Sequence, residues 1–362
     1  MITFREEMNG IPPYILGGQF TDELEKHGVT RVVKLNSNEP AYGPFPAAIE
    51  AMKKAIYGFH RLPEDGCPKL KSKLSKKFGV PEKNICISAG SWEVLRLLCL
   101  VAINRGDEMV IGWPTWPPVI LETQVMGGVC VKVPLADYTY DLPAILDRVT
   151  ERTKMVYICN PNNPTGTVVT RNQLDDYFEK VPEHVVTVVD EAYFDYNQNH
   201  ETCSSVRYLD SNKPLLVNKS FSKMYGLISA RIGYGIGSAE LIQNMEKCRL
   251  PMNVNLAAEV GALASVDDDA AVAQRSKANM EQRQYLHREF EKIGLEHTPS
   301  EANCVFVNVG QDSMDIWFKL LAFGVLVRPG KTYACPTWLR VTIGVPEENE
   351  IFIDALRKVL GK

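Results

Sequence analysis

A chain of 362 residues with 45% hydrophobic side chains, 40 basic groups and 44 acidic ones has ample apolar material for a buried core, which excludes a disordered or fibrous polypeptide. At roughly 100 to 200 residues per domain, the length implies two or three lobes, or one large α/β domain with a smaller appendage. The formal net charge of -4 leaves no basic surplus for nucleic acid or an acidic membrane surface, and no apolar run approaches the ~20 residues that span a bilayer.

The opening MITFREEMNGIPPY is charged and broken by prolines, unlike a secretory signal, and the segment 1–44 is too poor in apolar residues to fold alone. It is expected to pack against a small C-terminal lobe. From about residue 45 the pattern alternates amphipathic helices with short apolar strands, the signature of a mostly parallel sheet covered on both faces. Ala47–Tyr57 and Lys69–Phe78 read as helices, Asn84–Ser88 as a strand, and Trp92–Val101 as the helix after it. Short runs at Met109–Gly112, Val129–Val133, Met155–Cys159, Val185–Val189, Pro214–Val217 and Ile232–Ile236 complete about seven strands of one sheet. After Asn255 the character changes. Ala257–Val266 and Ala270–Ile293 read as long helices, Cys304–Val309 and Trp338–Ile343 as strands of a smaller sheet, and Met314–Phe323 and Glu350–Leu360 as further helices. The expected organisation is a large α/β domain over 45–255 and a smaller α+β domain over 256–362.

The nine cysteines contain no C-x-x-C pair, so neither a zinc site nor a disulfide framework is expected. Several sit inside apolar runs such as Ile85-Cys86-Ile87, which points to buried thiols in a reducing, cytoplasmic setting.

Three clusters follow three successive predicted strands at their C-terminal ends, the edge where open α/β sheets bind ligands. They are Asn160 to Gly166, then Asp190-Glu191-Ala192-Tyr193, then Ser220-Phe221-Ser222-Lys223 with Arg231 eight residues on. Singly each has a bland reading as a turn, a helix cap or a surface patch. Together, in this order, they supply an amine, a carboxylate, two hydrogen-bonding groups and a cation with hydroxyls, the set that holds pyridoxal phosphate. Lys223 would condense with the cofactor aldehyde, which requires an amine of lowered pKa. Asp190 would pair with the pyridine nitrogen and keep it protonated, making the ring an electron sink. Asn163 and Tyr193 would hydrogen-bond the phenolic oxygen. Arg231, Ser220 and Ser222 would hold the phosphate, joined by Ser91 and the amide of Trp92 at a helix start, where unpaired amides favour an anion. Trp116 could stack on the ring face, its alternative being an ordinary core tryptophan. The run Gly233-Tyr234-Gly235-Ile236-Gly237 raises a dinucleotide site, but its glycines lack the G-x-G-x-x-G spacing.

With these clusters, the strings Leu35 to Glu39, Gly90 to Glu93, Ser222 to Leu227, Pro299 to Asn303, and Leu339 to Gly344 with Glu347 to Asn349 resemble the fold-type I aminotransferases, and within them the histidinol-phosphate aminotransferase branch. The resemblance implies a two-lobed homodimer with active sites near the subunit interface. It implies a ping-pong exchange of an amino group between a small-molecule donor, L-histidinol phosphate in first place, and a 2-oxo acid such as 2-oxoglutarate. It also implies Arg340 as the clamp for the substrate's anionic group, with Arg328, Tyr14 and Asn163 helping to bind substrate. Leu62, Met252 and Trp92 depart from what such relatives carry, commonly tyrosines at the first two positions and an acidic residue at the third. They leave an aromatic amino acid as the alternative substrate, and threonine-phosphate decarboxylases and some amino-acid cyclising enzymes, which resemble this branch and share the same lysine and ring contacts, stand as alternative chemistries.

Overall fold

The computed structural model describes residues 2–12 and 28–362. Its strands, in chain order, are β1 (Val33–Lys34), β2 (Ile85–Ser88), β3 (Glu108–Trp113), β4 (Val129–Pro134), β5 (Thr153–Cys159), β6 (Val186–Asp190), β7 (Leu215–Ser220), β8 (Gly233–Gly237), β9 (Cys304–Asn308), β10 (Val325–Leu326), β11 (Arg328–Pro329) and β12 (Trp338–Thr342). Seven of them form one sheet in the order β2-β8-β7-β6-β5-β3-β4. All neighbours run parallel except β8, which is antiparallel to both β2 and β7. The glycine-rich run is therefore an interior strand rather than a nucleotide-binding turn. Because β8 reverses twice, β2, β5, β6 and β7 all end on the same edge.

The apolar runs become strands because helices bury them on both faces. β3, β5, β6 and β7 are almost wholly buried along their length. Covering helices carry their apolar residues one turn apart: Arg171–Lys180 buries Leu174, Tyr177 and Phe178, and begins with a capping box in which Thr170 and Gln173 satisfy each other's backbone amides. No helix among the described residues is long and apolar enough to cross a membrane.

The apolar interior divides into two cores. The larger surrounds the seven-stranded sheet. The smaller is built by Leu286, Phe290, Trp317, Leu339, Phe352 and their neighbours around the sheet β11-β12-β9 and the two-stranded pair β1-β10. This division departs from a boundary at residue 255. Ala258, Ala262 and Val266 of the helix Leu256–Ser265 belong to the larger core, packing on the helix Pro46–Ala55, and the change of core falls within the helix Asp269–Lys292. The N-terminal segment also divides. Val33 and Leu35 lie in the smaller core, whereas residues 5–7 rest on the larger lobe through Arg5 to the Val125 carbonyl (3.1 Å) and Arg105 to Glu6 (3.2 Å) and Glu7 (2.5 Å).

Candidate active site

Strand ends place the site. β5 ends at Cys159 and β6 at Asp190, which are register partners, and Asp190 pairs in turn with Asn218 of β7. The turn after β5 is held by its own asparagines. Asn162 donates to the Pro114 carbonyl (3.1 Å) and to Thr165 (2.9 Å) and accepts from Thr115 (2.8 Å), which fixes the strand end that carries Trp116.

Asp190 is buried, and that burial raises its pKa above the ordinary carboxylate range. Hydrogen bonds oppose the shift: the Tyr157 hydroxyl donates to Oδ2 (2.8 Å) and the Ala192 amide to Oδ1 (3.0 Å). Beside it, Glu191 forms a buried ion pair with Lys219 at 2.7 Å.

Lys223 donates from Nζ to the Asn38 carbonyl at 2.7 Å. Its pKa is pushed down to about 7, first by burial and then by the nearby Arg340 cation, with Arg231 adding to the effect. A substantial fraction of the amine is thus neutral near pH 7, as nucleophilic attack on an aldehyde requires. Asn38 and Asn163 both donate to the Tyr193 hydroxyl, at 3.1 and 3.2 Å, so three side chains meet at one oxygen.

The other end of the cavity is built for an anion. Gly90, with φ +98°, leads into the helix Ser91–Ala102, and a Cβ there would run into the guanidinium of Arg231. A Cβ on Gly233 would collide with the Ser91 amide. Two glycines therefore let an arginine and a strand close on a helix start whose amides point outward. Arg231 itself sits in the left-handed region at φ +60°, with Nη1 on the Ile228 carbonyl (2.8 Å). Ser220 and Ser222 are buried, the Ser222 amide donating to Ser220 Oγ at 3.0 Å. Ser91, Ser220, Ser222 and Arg231 line the same cavity as Asp190, Tyr193 and Lys223, and Trp92 and Trp116 form its wall.

A second cleft shares Trp116, Tyr193 and Lys223 with the first and is lined beyond them by Asn163, Arg328, Tyr333 and Arg340. Arg340 is buried and preset, donating to Asn163 Oδ1 (2.9 Å), the Tyr333 hydroxyl (2.7 Å) and the Asn36 carbonyl (2.6 Å). Arg328 of β11 is its register partner across the hairpin.

Every candidate residue named from the sequence lies in one or both clefts except Tyr14, which falls outside the described residues. Sequence reasoning gave no role to Asn38, Tyr157 or Tyr333. Asn38, at φ +49°, sits within a string that resembles relatives, but its two tasks, a carbonyl for Lys223 and an amide for Tyr193, appear only when residue 38 meets residues 193 and 223.

These groups fit pyridoxal phosphate: a buried carboxylate for the ring nitrogen, a buried amine for the aldehyde, two hydrogen-bonding groups for the phenolic oxygen, and an arginine, serines and a glycine-opened helix start for the phosphate. Fold and cavity together define a pyridoxal-phosphate-dependent enzyme of fold type I. The chain belongs to the aminotransferase class I and II family, whose model matches residues 30–356, and it is a pyridoxal-phosphate-dependent transaminase of the histidinol-phosphate aminotransferase branch. It is 40% identical to a histidinol-phosphate aminotransferase of Moorella thermoacetica, over 99% of this chain and 93% of that one, and 38% identical to another of Caldicellulosiruptor saccharolyticus, over 99% and 100%. Its fold matches the Sinorhizobium meliloti histidinol-phosphate aminotransferase in complex with pyridoxal-5'-phosphate, with a TM-score of 0.91 at 24% identity over 99% of this chain and 97% of that one. An aspartate aminotransferase double mutant of Thermus thermophilus matches with a TM-score of 0.84 at 23% identity, over 100% and 98%.

Proposed function

We propose that this transaminase takes its amino group from L-histidinol phosphate and passes it to 2-oxoglutarate in a ping-pong exchange at one site. The observation that carries the reading is the opposition of Arg328 and Arg340 in one cleft with Lys223. Like charges directly across a strand pair repel each other, and an anion of high charge bound between them would relieve that repulsion. A phosphate monoester meets that need, and a dicarboxylate such as 2-oxoglutarate meets it equally. One cleft can then serve both partners in turn, and the names of the two relatives support histidinol phosphate as one of them.

Within that reading, each residue has a task. Lys223 Nζ would hold the cofactor through its aldehyde and, when free, would take the proton from the substrate carbon. When bound, pyridoxal phosphate supplies a conjugated ring that spreads the electron pair left by that proton. Asp190 holds the ring nitrogen's proton. Tyr193, oriented by Asn38 and Asn163, donates to the phenolic oxygen, and Trp116 closes one face against water. Ser91, the Trp92 amide, Ser220, Ser222 and Arg231 anchor the phosphate.

A panel of amino donors scored by glutamate formation from 2-oxoglutarate tests the assignment, with histidinol phosphate expected to lead. Arg328→Ala should lower kcat/KM for it by about 10- to 150-fold, the loss of one charge-assisted partner worth about 1.5–3 kcal/mol. Phenylalanine or tyrosine turning over faster in the wild-type enzyme reverses the ranking.

The reading includes a homodimer. Ile56, Tyr57, Phe59 and Leu62 are 56–86% exposed, beside Leu250 at 70%, and the Asp65 ion pair with Arg249 and its bond from the Met252 amide hold the two segments together. So much large apolar side chain in one place marks a surface that another protein covers. Sedimentation at micromolar concentration should give twice the chain mass, and a fully active monomer would refute the dimer.

A further inference from the structure

Trp92 does more than offer its amide. It is the second residue of the helix Ser91–Ala102, and its side chain turns into the cavity wall, where its ring meets Trp116 edge to face at 5.3 Å between centroids and 80° between planes. An indole nitrogen is a donor only, and a donor in a wall of apolar rings needs an acceptor. Glu122 provides it: the Trp92 Nε1 donates to Oε1 at 2.7 Å, a charge-assisted bond of short length. The second carboxylate oxygen takes Arg96 Nη1 at 3.2 Å, and Arg96 stands one turn beyond Trp92 on the same helix. Glu122 itself is buried, in the helix Pro118–Val125 that begins two residues after Trp116. One carboxylate thus ties the helix whose start lines the cavity to the segment that carries Trp116.

We propose that Glu122 is a positioning residue for the cofactor, acting through Trp92 to set the plane of Trp116 against the pyridine ring. This rests on the reading of Trp116 as the stacking ring. An edge-to-face contact transmits orientation because it favours a narrow range of ring angles, and the hydrogen bond to Glu122 removes the rotation by which Trp92 could follow a drifting neighbour. The carboxylate is thereby coupled to ring geometry while touching neither cofactor nor substrate.

The test measures pyridoxal phosphate binding to the apoenzyme and the visible circular dichroism per mole of bound cofactor, which reports how the ring is held. Melting temperature is followed in parallel to separate general loosening. Trp116→Leu should weaken binding and alter the dichroism. Glu122→Leu and Trp92→Phe, which keeps a ring but removes the donor, should each weaken binding on the order of tenfold and shift the dichroism in the same direction. Their double variant should be no weaker than either alone, because both break one linkage. Glu122→Gln, which keeps an acceptor oxygen, should recover most of the affinity and the dichroism. Wild-type affinity and dichroism in Glu122→Leu, whatever its melting temperature, overturn the proposal, as do additive effects in the double variant. If Trp116→Leu alone is without effect, the stacking reading fails and takes the proposal with it; if Trp116→Leu has its effect and the Glu122 variants do not, only the proposal fails. Should Glu122→Leu not fold, Trp92→Phe and Glu122→Gln decide by the same readouts.

Discussion

Lys223→Ala is expected to lose turnover by more than the roughly 10²- to 10⁴-fold that a positioned acid or base commonly supplies, since in the proposed reading it removes both the condensing amine and the group that moves the substrate proton. Borohydride should fix the cofactor covalently to wild-type protein and fix none to the variant. A variant that keeps full activity without added amine sinks the assignment of Lys223. Stability should move the other way. A lysine whose pKa falls from its ordinary value to about 7 on folding penalises the folded apoenzyme at every pH below the unfolded value. That penalty is absent at high pH, grows as pH falls between the two values, and is full below about 7. Alanine lifts it, so thermal melts of apoenzyme at pH 6 and pH 10 should show the variant gaining on wild type at the lower pH. Equal differences at both values would place the lysine's lowered pKa in doubt.

Asp190→Asn should keep the cofactor yet slow the proton-transfer half-reaction by about 10²- to 10⁴-fold. Removing one partner of a buried charge pair costs about 3–5 kcal/mol, and in the proposed reading the other partner would be the protonated ring nitrogen on which electron withdrawal depends. The asparagine keeps one acceptor oxygen for the Ala192 amide, and its NH2 can donate to the Tyr157 hydroxyl oxygen in place of the bond it loses, so the local geometry survives and the loss reports the charge. Single-turnover measurement with a good donor, with cofactor stoichiometry checked after dialysis, decides it: an unaltered rate removes Asp190 from the mechanism.

Much of this was legible because the chemistry sits at strand ends, where an apolar run stops and a polar cluster begins. Asp190 and Lys223 each follow such a run, and the parallel order of β5, β6 and β7 brings the clusters to one edge. What escaped reading depends on distance along the chain. Asn38 reaches the site through contacts with residues 155 and 185 positions away, and Tyr333 enters it only because the turn after β11 folds back on Arg340. Local periodicity carries no trace of such meetings. Core membership is hidden for a related reason: composition changes at Asn255, but Leu256–Ser265 packs on the helix Pro46–Ala55, with Ala258 and Ala262 in the larger core, and packing rather than composition decides that. Trp92 and Glu122 are 30 residues apart, and neither alone marks the other as its partner.

The helix Asp269–Lys292 has 24 residues, about 36 Å at 1.5 Å per residue, with Ala271 and Val272 against one core and Leu286 and Phe290 inside the other. Besides the irregular stretch from Leu35 to Phe45, which also passes between the cores, the join between the two lobes is this continuous helix rather than loose chain. Limited proteolysis has no exposed linker there to cut, and either lobe expressed by itself would leave half of a helix bare. Any rocking of the smaller lobe would have to bend or roll this rod, and Arg340 and Arg328, which ride on that lobe, would move toward or away from Lys223 as a single block.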